Sequence, residues 1–397
     1  PFIDELKLKA SIGQQGNDNI GAFAYTDLYT LTPNASNNGM SPSFGRMGNE
    51  NITWETTTNF NAGVEFSLLK SRLTGSIDFY TKKTSDLLFW LSIPEGQGTR
   101  GYYGNLGDIR NTGIELVLSA AVIRTKDIDW NITANLSHNS TKILKLPASK
   151  IQDNGGFREA MEPLRILPMW YREGGPLYNA MMPDYAGVNE KGEALYWVDA
   201  NIAEGKESQI AAHEHSYTTT DYSKASYYEQ GSLLPKVFGG LSTNFRYKSF
   251  DVAMTFDYQI GGHVYDQQYA QLMQTPITKG ENWGQAIHKD WAKAWSANNT
   301  SSNIPRWQNS DNYATSQSSR FLTNAGYFNF QSFSVGYTLP KGLIPEVSKI
   351  RVYVMGENLA FWSARKGLDP RFSFLGSGYV GTYSPIRNIS GGIQVSF

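Results

Sequence analysis

Apolar and polar residues alternate at a period of two through about ten stretches of this chain. Nowhere do ~18 apolar residues run consecutively, the length that a membrane-crossing helix needs. Successive side chains of a strand point to opposite faces, so this pattern builds sheets with one apolar and one polar surface. In the last nine residues, Ile389, Ile393, Val395 and Phe397 fall on one face and Ser390, Gln394 and Ser396 on the other. One face of such a strand can meet lipid while the other meets water. A chain of this kind crosses a bilayer only as a closed barrel, because helices and closed barrels alone satisfy every backbone group there.

The clearest pair of strands spans 237–247 and 250–260 around Lys248-Ser249. Val237, Leu241, Phe245 and Tyr247 oppose Ser242, Asn244 and Arg246 in the first, and Phe250, Val252, Met254 and Phe256 oppose Asp251, Thr255, Asp257 and Gln259 in the second. Strands at 60–68 and 71–80, at 112–122 and 128–138, and at 327–339 and 349–359 form three further hairpins; single strands at 3–13 and 387–397 complete the set. Between the hairpins lie long segments at 14–56, 81–108, 142–234, 263–324 and 361–385. Outer-membrane barrels have short periplasmic turns and long outer loops, so the short connections mark a periplasmic side. A soluble β-sandwich also alternates apolar and polar residues. It has little use for connections of ~60 to ~90 residues on one side only, since those longer than ~15 residues are uncommon in compact domains.

The 397 residues include 23 Tyr, 20 Phe, 10 Trp and 38 Gly, a composition that suits a β-rich chain. The net charge of -1 gives no basic footprint for nucleic acid, whose recognition rests on clustered Lys and Arg. Cysteine is absent, which excludes disulfides, thiolate metal sites and a sulfur nucleophile. The chain starts at Pro1 without a signal peptide, as though it continues a longer polypeptide.

Asn105-Leu106-Gly107-Asp108-Ile109-Arg110-Asn111-Thr112-Gly113-Ile114-Glu115-Leu116 resembles a strand opening of the SusC-like TonB-dependent transporters of Bacteroidetes outer membranes. Upstream, Trp54-Glu55-Thr56-Thr57-Thr58-Asn59, Asn61-Ala62-Gly63-Val64-Glu65-Phe66, Asp78-Phe79-Tyr80 and Ser85-Asp86-Leu87-Leu88 are similar to consecutive blocks of that family. Downstream follow Tyr185-Ala186-Gly187-Val188, Trp291-Ala292-Lys293-Ala294-Trp295, Ile304-Pro305-Arg306, Glu357-Asn358-Leu359, Leu368-Asp369-Pro370-Arg371 and Phe397. Each block alone is weakly specific; their order runs through nearly the whole chain. The resemblance implies an all-β transmembrane antiparallel barrel of about 22 strands around an N-terminal plug, with residues 1–397 supplying about ten C-terminal strands. The plug and the N-terminal half of the barrel have no counterpart here, so the edges at 3–13 and 387–397 are expected to meet a missing half.

Candidate chemistry is sparse. His213-Glu214-His215 is the one close His pair, and alternate strand residues can present two rings to a metal. Its Ser, Thr and Ala surroundings favour a solvated loop instead, and no metal site is assigned. Asp184, Asn189, Glu190 and Glu193 could offer Ca²⁺ several oxygens but lack EF-hand spacing. No Ser-His-Asp set, P-loop or GxGxxG stands out, so no catalytic residue is assigned and the chain is read as a non-enzyme. Trp170, Tyr171, Trp197, Tyr222, Tyr227, Tyr228, Trp283 and Trp307 lie in expected outer loops, where rings can stack on sugars or pack peptide side chains. The bland alternative is that they pack the loops on one another. Trp130, Tyr80, Tyr247 and Phe250 lie near strand ends and suit an interfacial girdle.

By resemblance, the chain is part of an outer-membrane importer of oligosaccharides or oligopeptides, capped by a SusD-like surface lipoprotein and driven by TonB through the plug. Asn61, Glu65, Glu115, Asn135, Asn244, Arg246, Asp257 and Gln259 are expected to face the lumen, with lipid on the opposite face. The rival reading is a soluble or surface carbohydrate-binding β protein with the same aromatic richness.

Overall fold

The computed structural model describes residues 2–34, 39–92, 101–105, 107–148, 150–151, 155–160, 167–274, 286–308, 313–342, 344–372 and 383–397. Ten antiparallel strands form one sheet in which each pairs with its predecessor and successor: β1 (Ile3–Asn17), β2 (Glu55–Leu68), β3 (Leu73–Ser85), β4 (Asp108–Arg124), β5 (Ile128–Lys145), β6 (Val237–Tyr247), β7 (Phe250–Ile260), β8 (Tyr327–Thr338), β9 (Lys349–Ser363) and β10 (Asn388–Ser396). These are the ten strands the alternation predicts. None of the described helices is long and apolar enough to cross a membrane. The connections sort by end: 69–72, 125–127, 248–249 and 339–348 are short, while 18–54, 86–107, 146–236, 261–326 and 364–387 are long and share the other end.

Strand register carries the two-faced pattern across the sheet. Leu8, Val64, Ile77, Leu116 and Leu136 lie side by side in one row, and Ala134, Leu241, Phe256 and Phe330 in another. Between these rows runs Lys7, Glu65, Ser76, Val117, Asn135, Gly240, Asp257 and Asn329. No second layer covers the apolar rows, so Leu8 is 75% exposed, Ile12 76% and Ile393 69%. An uncovered apolar surface that continues over ten strands is far larger than the patches soluble monomers tolerate, and it fits hydrocarbon.

The strands are longer than expected at the ends that carry the long connections. Alternation pointed to 128–138 for β5, which runs to Lys145. A tilted strand crosses a bilayer in about 9–11 residues. Along the apolar face of β5, Ile128, Trp130, Ile132, Ala134 and Leu136 give way to His138, Ser140 and Lys142. The change falls at nearly the same register line on β3 (Phe79 to Thr81) and β4 (Ile114 to Thr112). The strands therefore continue as a wetted wall beyond the apolar band.

The compact core lies outside the ten-stranded sheet. Segments 156–160, 168–172, 179–183, 211–212 and 227–232 form a five-stranded sheet, and 185–188, 194–198 and 217–219 a three-stranded one. Met169, Met182, Tyr265, Met273, Trp291 and Phe321 bury one another across three separate stretches of chain. The long connections thus build a packed body with its own hydrophobic centre.

Candidate functional site

The polar face carries its own charge network. Lys9 Nζ bridges Glu65 Oε1 and Asp78 Oδ1, both at 2.9 Å, while Lys7 Nζ meets Glu65 Oε2 at 3.1 Å. Glu115 stands opposite Asp78 in the register, on the same face as these ion pairs. Across the sheet, Asn135 Oδ1 accepts the Gly240 N–H at 2.8 Å, Arg246 approaches Asp129 at 3.8 Å, and Gln259 Nε2 donates to the Ala325 carbonyl at 3.0 Å. Asp257 Oδ1 accepts from Asn329 Nδ2 at 2.7 Å, and Asn61 Nδ2 donates to Ser11 Oγ at 3.3 Å. Asn244 sits beside Asn131. All eight residues expected to face a lumen share this one face.

Trp130, Tyr247 and Phe250 lie on the apolar face at the short-connection end, where Phe250 packs on Tyr337 with ring centroids 4.7 Å apart. Tyr80 departs from the girdle expectation. It pairs with Asn61 and Gly113 on the polar face, and a Cβ at position 113 would come within 2.4 Å of its ring. Gly113 of the Gly-Ile-Glu block therefore makes room for a tyrosine on the neighbouring strand.

The loop aromatics divide. Trp170 is 1% exposed among Met181 and Ala211, and Tyr228 is 6% exposed with its hydroxyl donating to the Glu214 carbonyl at 2.8 Å. Tyr222 packs edge-on to Tyr196 and donates to the Gln317 carbonyl at 2.6 Å. All three pack loop segments on one another; Trp170 and Tyr228 are buried, and Tyr222 is half-buried. Tyr227 lies under the Arg158 guanidinium, 4.6 Å from its centroid. Trp197 is half-buried and stacks on His215 at 4.7 Å. Trp307 stays 44% exposed, edge-on to buried Trp291 at 4.7 Å. Trp283 lies outside the described residues.

Among the acidic and histidine candidates, the Asp184, Asn189, Glu193 and His215 side chains are engaged by the protein. His215 Nε2 contacts Asp184 Oδ2 at 3.0 Å, and Asp184 Oδ1 accepts from Gln230 at 2.7 Å. Asn189 Oδ1 accepts the Lys191 and Glu193 N–H groups, while Arg306 pairs with Glu193 at 3.3 Å. Among the described residues no three His, Asp or Glu side chains gather as metal ligands. Asp199 accepts N–H bonds from Asn201, His213 and Glu214. Burial opposes its charge, but these donors together outweigh burial and hold its carboxyl below the usual range.

Several of the quoted blocks act as clasps between loops. Asn105 Oδ1 accepts the Thr53 N–H at 2.7 Å, and its Nδ2 donates to the carbonyls of Thr53 at 2.7 Å and Asp86 at 2.9 Å. Glu55 Oε1 accepts the Leu88 N–H at 2.9 Å. Gly107 has φ +119°, outside the range of other residues, and Phe89 packs against it. Arg306 donates to the Lys191 carbonyl at 2.8 Å, and Trp295 covers Gly192.

Where the outer ends of β4 and β5 meet the loop body, a cavity of about 370 Å³ opens between Ile109, Ile143, Leu87, Phe89, Phe157 and Leu177. Phe157 stacks on Tyr171 at 5.1 Å, and burial, aided by Glu159, pushes the Tyr171 phenol up to about 12. Lys145 and Glu159 supply the charges in its lining. Sequence alternation missed this cavity because its walls come from four separate segments.

Residues 2–233 match the family described as TonB dependent receptor-like, beta-barrel. TonB-dependent receptor P3 of Formosa agariphila is 26% identical over 417 residues, covering 100% of this chain and 40% of the relative. TonB-dependent receptor SusC of Bacteroides thetaiotaomicron is 26% identical, covering 93% of this chain and 35% of its own length. Among solved structures, the RagAB peptide transporter aligns with TM-score 0.76 and 25% identity over 100% of this chain and 41% of the other. The open-open state of the RagAB peptide importer reaches TM-score 0.78 over 40% of that chain. The chain thus spans about two fifths of the length of these relatives and structures. Its ten two-faced strands and the match over more than half its residues establish that it belongs to the TonB-dependent receptor β-barrel family of the outer membrane.

Proposed function

We propose that the chain supplies the C-terminal strands of an importer that moves oligosaccharides or oligopeptides across the outer membrane, using energy delivered by TonB to a plug carried elsewhere in the protein. The observation that carries this reading is the sheet: ten strands with one continuous apolar face and one charged face, and with β1 and β10 each paired on one side only among the described residues. Open edges are unfavourable in lipid, and further strands of a larger barrel would pair them. The charged face would then line the lumen and meet the plug. The packed body of long connections would form the outer rim, the surface on which a SusD-like lipoprotein would sit and capture cargo. Similarity to SusC and to the RagAB peptide importer supports both the transport class and the paired lipoprotein.

Deleting segment 167–233 from the full-length protein should abolish copurification of a surface lipoprotein while leaving a heat-modifiable barrel in the outer membrane. Unchanged copurification would refute the capping role. Uptake that persists without TonB would refute the energised import.

A further inference from the structure

The cavity at the outer ends of β4 and β5 separates the two cargo classes. Its volume of about 370 Å³ falls in the range of ligand pockets, and close-packed interiors do not hold apolar voids of that size. Ile143 and Phe157 are themselves buried in a hydrophobic cluster with Leu146, against which Ile109, Tyr171 and Leu177 pack. Ile109 and Ile143 pair at the loop end of the sheet, in register on the charged face, where cargo leaving the outer body would enter a lumen. A sugar ring placed here would lose water from its hydroxyls and gain few partners from Leu, Ile and Phe side chains. An aliphatic or aromatic side chain would lose nothing.

Charge at the cavity is also selective. Lys150 already holds Glu159 at 3.7 Å. Lys145 is exposed, and among the described residues no carboxylate pairs with it. We propose that this cavity binds an apolar side chain of a peptide cargo, with the adjoining free carboxylate held by Lys145 Nζ. The proposal rests on the import reading and narrows its cargo to peptides with a hydrophobic terminal residue.

The test is calorimetric titration of the detergent-purified full-length protein with N-acetyl-phenylalanine, its amide, N-acetyl-serine, decanoate and maltose. The acid should bind saturably, and the amide about tenfold more weakly for loss of one charge-assisted contact. N-acetyl-serine and maltose should not compete. Lys145→Gln should erase the preference for acid over amide, and Lys145→Arg should restore it. Leu177→Trp, which fills the cavity, should abolish binding. The acid and amide titrations on the unaltered protein need no variant to fold. Equal binding of acid and amide, absence of binding, tighter binding of decanoate, or the protein's own polypeptide found inside the cavity would each overturn the proposal. TonB-dependent uptake is scored separately, so a protein that imports but fails these titrations refutes the pocket alone.

Discussion

At the scale of single residues, the clasps in the outer body decide how firmly it is held. Asp199 accepts three backbone N–H groups, from Asn201, His213 and Glu214. Asp199→Ala should cost about 1 kcal/mol, the usual net contribution of such hydrogen bonds, and should speed hydrogen exchange at His213 and Glu214. Its carboxyl is depressed in the folded protein. The stabilisation is therefore fully present above the ordinary aspartate value of 3.8 and is lost as pH falls through the lower folded value. The protection factors of these two amides, taken against the intrinsic rate at each pH, should be high at pH 6 and should fall below pH 3.8 in the parent protein, while in Asp199→Ala they are already low at pH 6. Asn105 is the corresponding clasp nearer the sheet. Asn105→Ala removes all three bonds to Thr53 and Asp86 and should expose the Thr53 amide without changing strand content by circular dichroism. Loss of the strands in that variant would mean that Asn105 holds the sheet itself.

At the scale of elements, each strand has a wet and a dry side, and substitution should respect it. Ile132 lies mid-band on the apolar face of β5, between Ala120 and Thr243. Ile132→Arg should destabilise the barrel by about 2–4 kcal/mol, the cost of a cation facing lipid near the midplane. Thr133→Arg, one residue on and facing the charged side, should cost under about 1 kcal/mol. Urea unfolding in lipid vesicles compares the two; equal losses would mean that the faces are not distinguished by solvent. The strands were legible in the sequence because period two survives wherever one face is uniformly apolar. Their outer extensions were not, since the lipid-facing rows turn polar beyond Phe79, Ile114 and Leu136 while Ile109 and Ile143 stand on the other face, and the alternation vanishes there. The strands of the outer body were hidden for the opposite reason: Asn179–Pro183 is buried on both faces and shows no alternation. Trp170 and Tyr228 looked like ligand platforms from position alone. Burial, which sequence does not display, makes them core.

At the scale of the whole molecule, hydrophobic burial is divided between two environments. The outer body buries its apolar residues against one another, around Met169, Met182 and Phe321. The ten-stranded sheet leaves Leu8, Ile12 and Ile393 open, because its apolar face is built for lipid rather than for a second protein layer. On the other face, Lys7 and Lys9 against Glu65, Asp78 and Glu115 form a charged surface that would be untenable in hydrocarbon.

The chain contains no cysteine, so single-cysteine variants along β5 carry one label each within this chain. Spin labels at residues 131–137 of the full-length protein in vesicles, probed with oxygen and with a water-soluble nickel chelate, read the solvent of each position. Positions 132, 134 and 136 should favour oxygen, and 131, 133, 135 and 137 the chelate, alternating at every residue. Uniform accessibility along β5, or the opposite phase, would contradict the assignment of its faces to lipid and lumen.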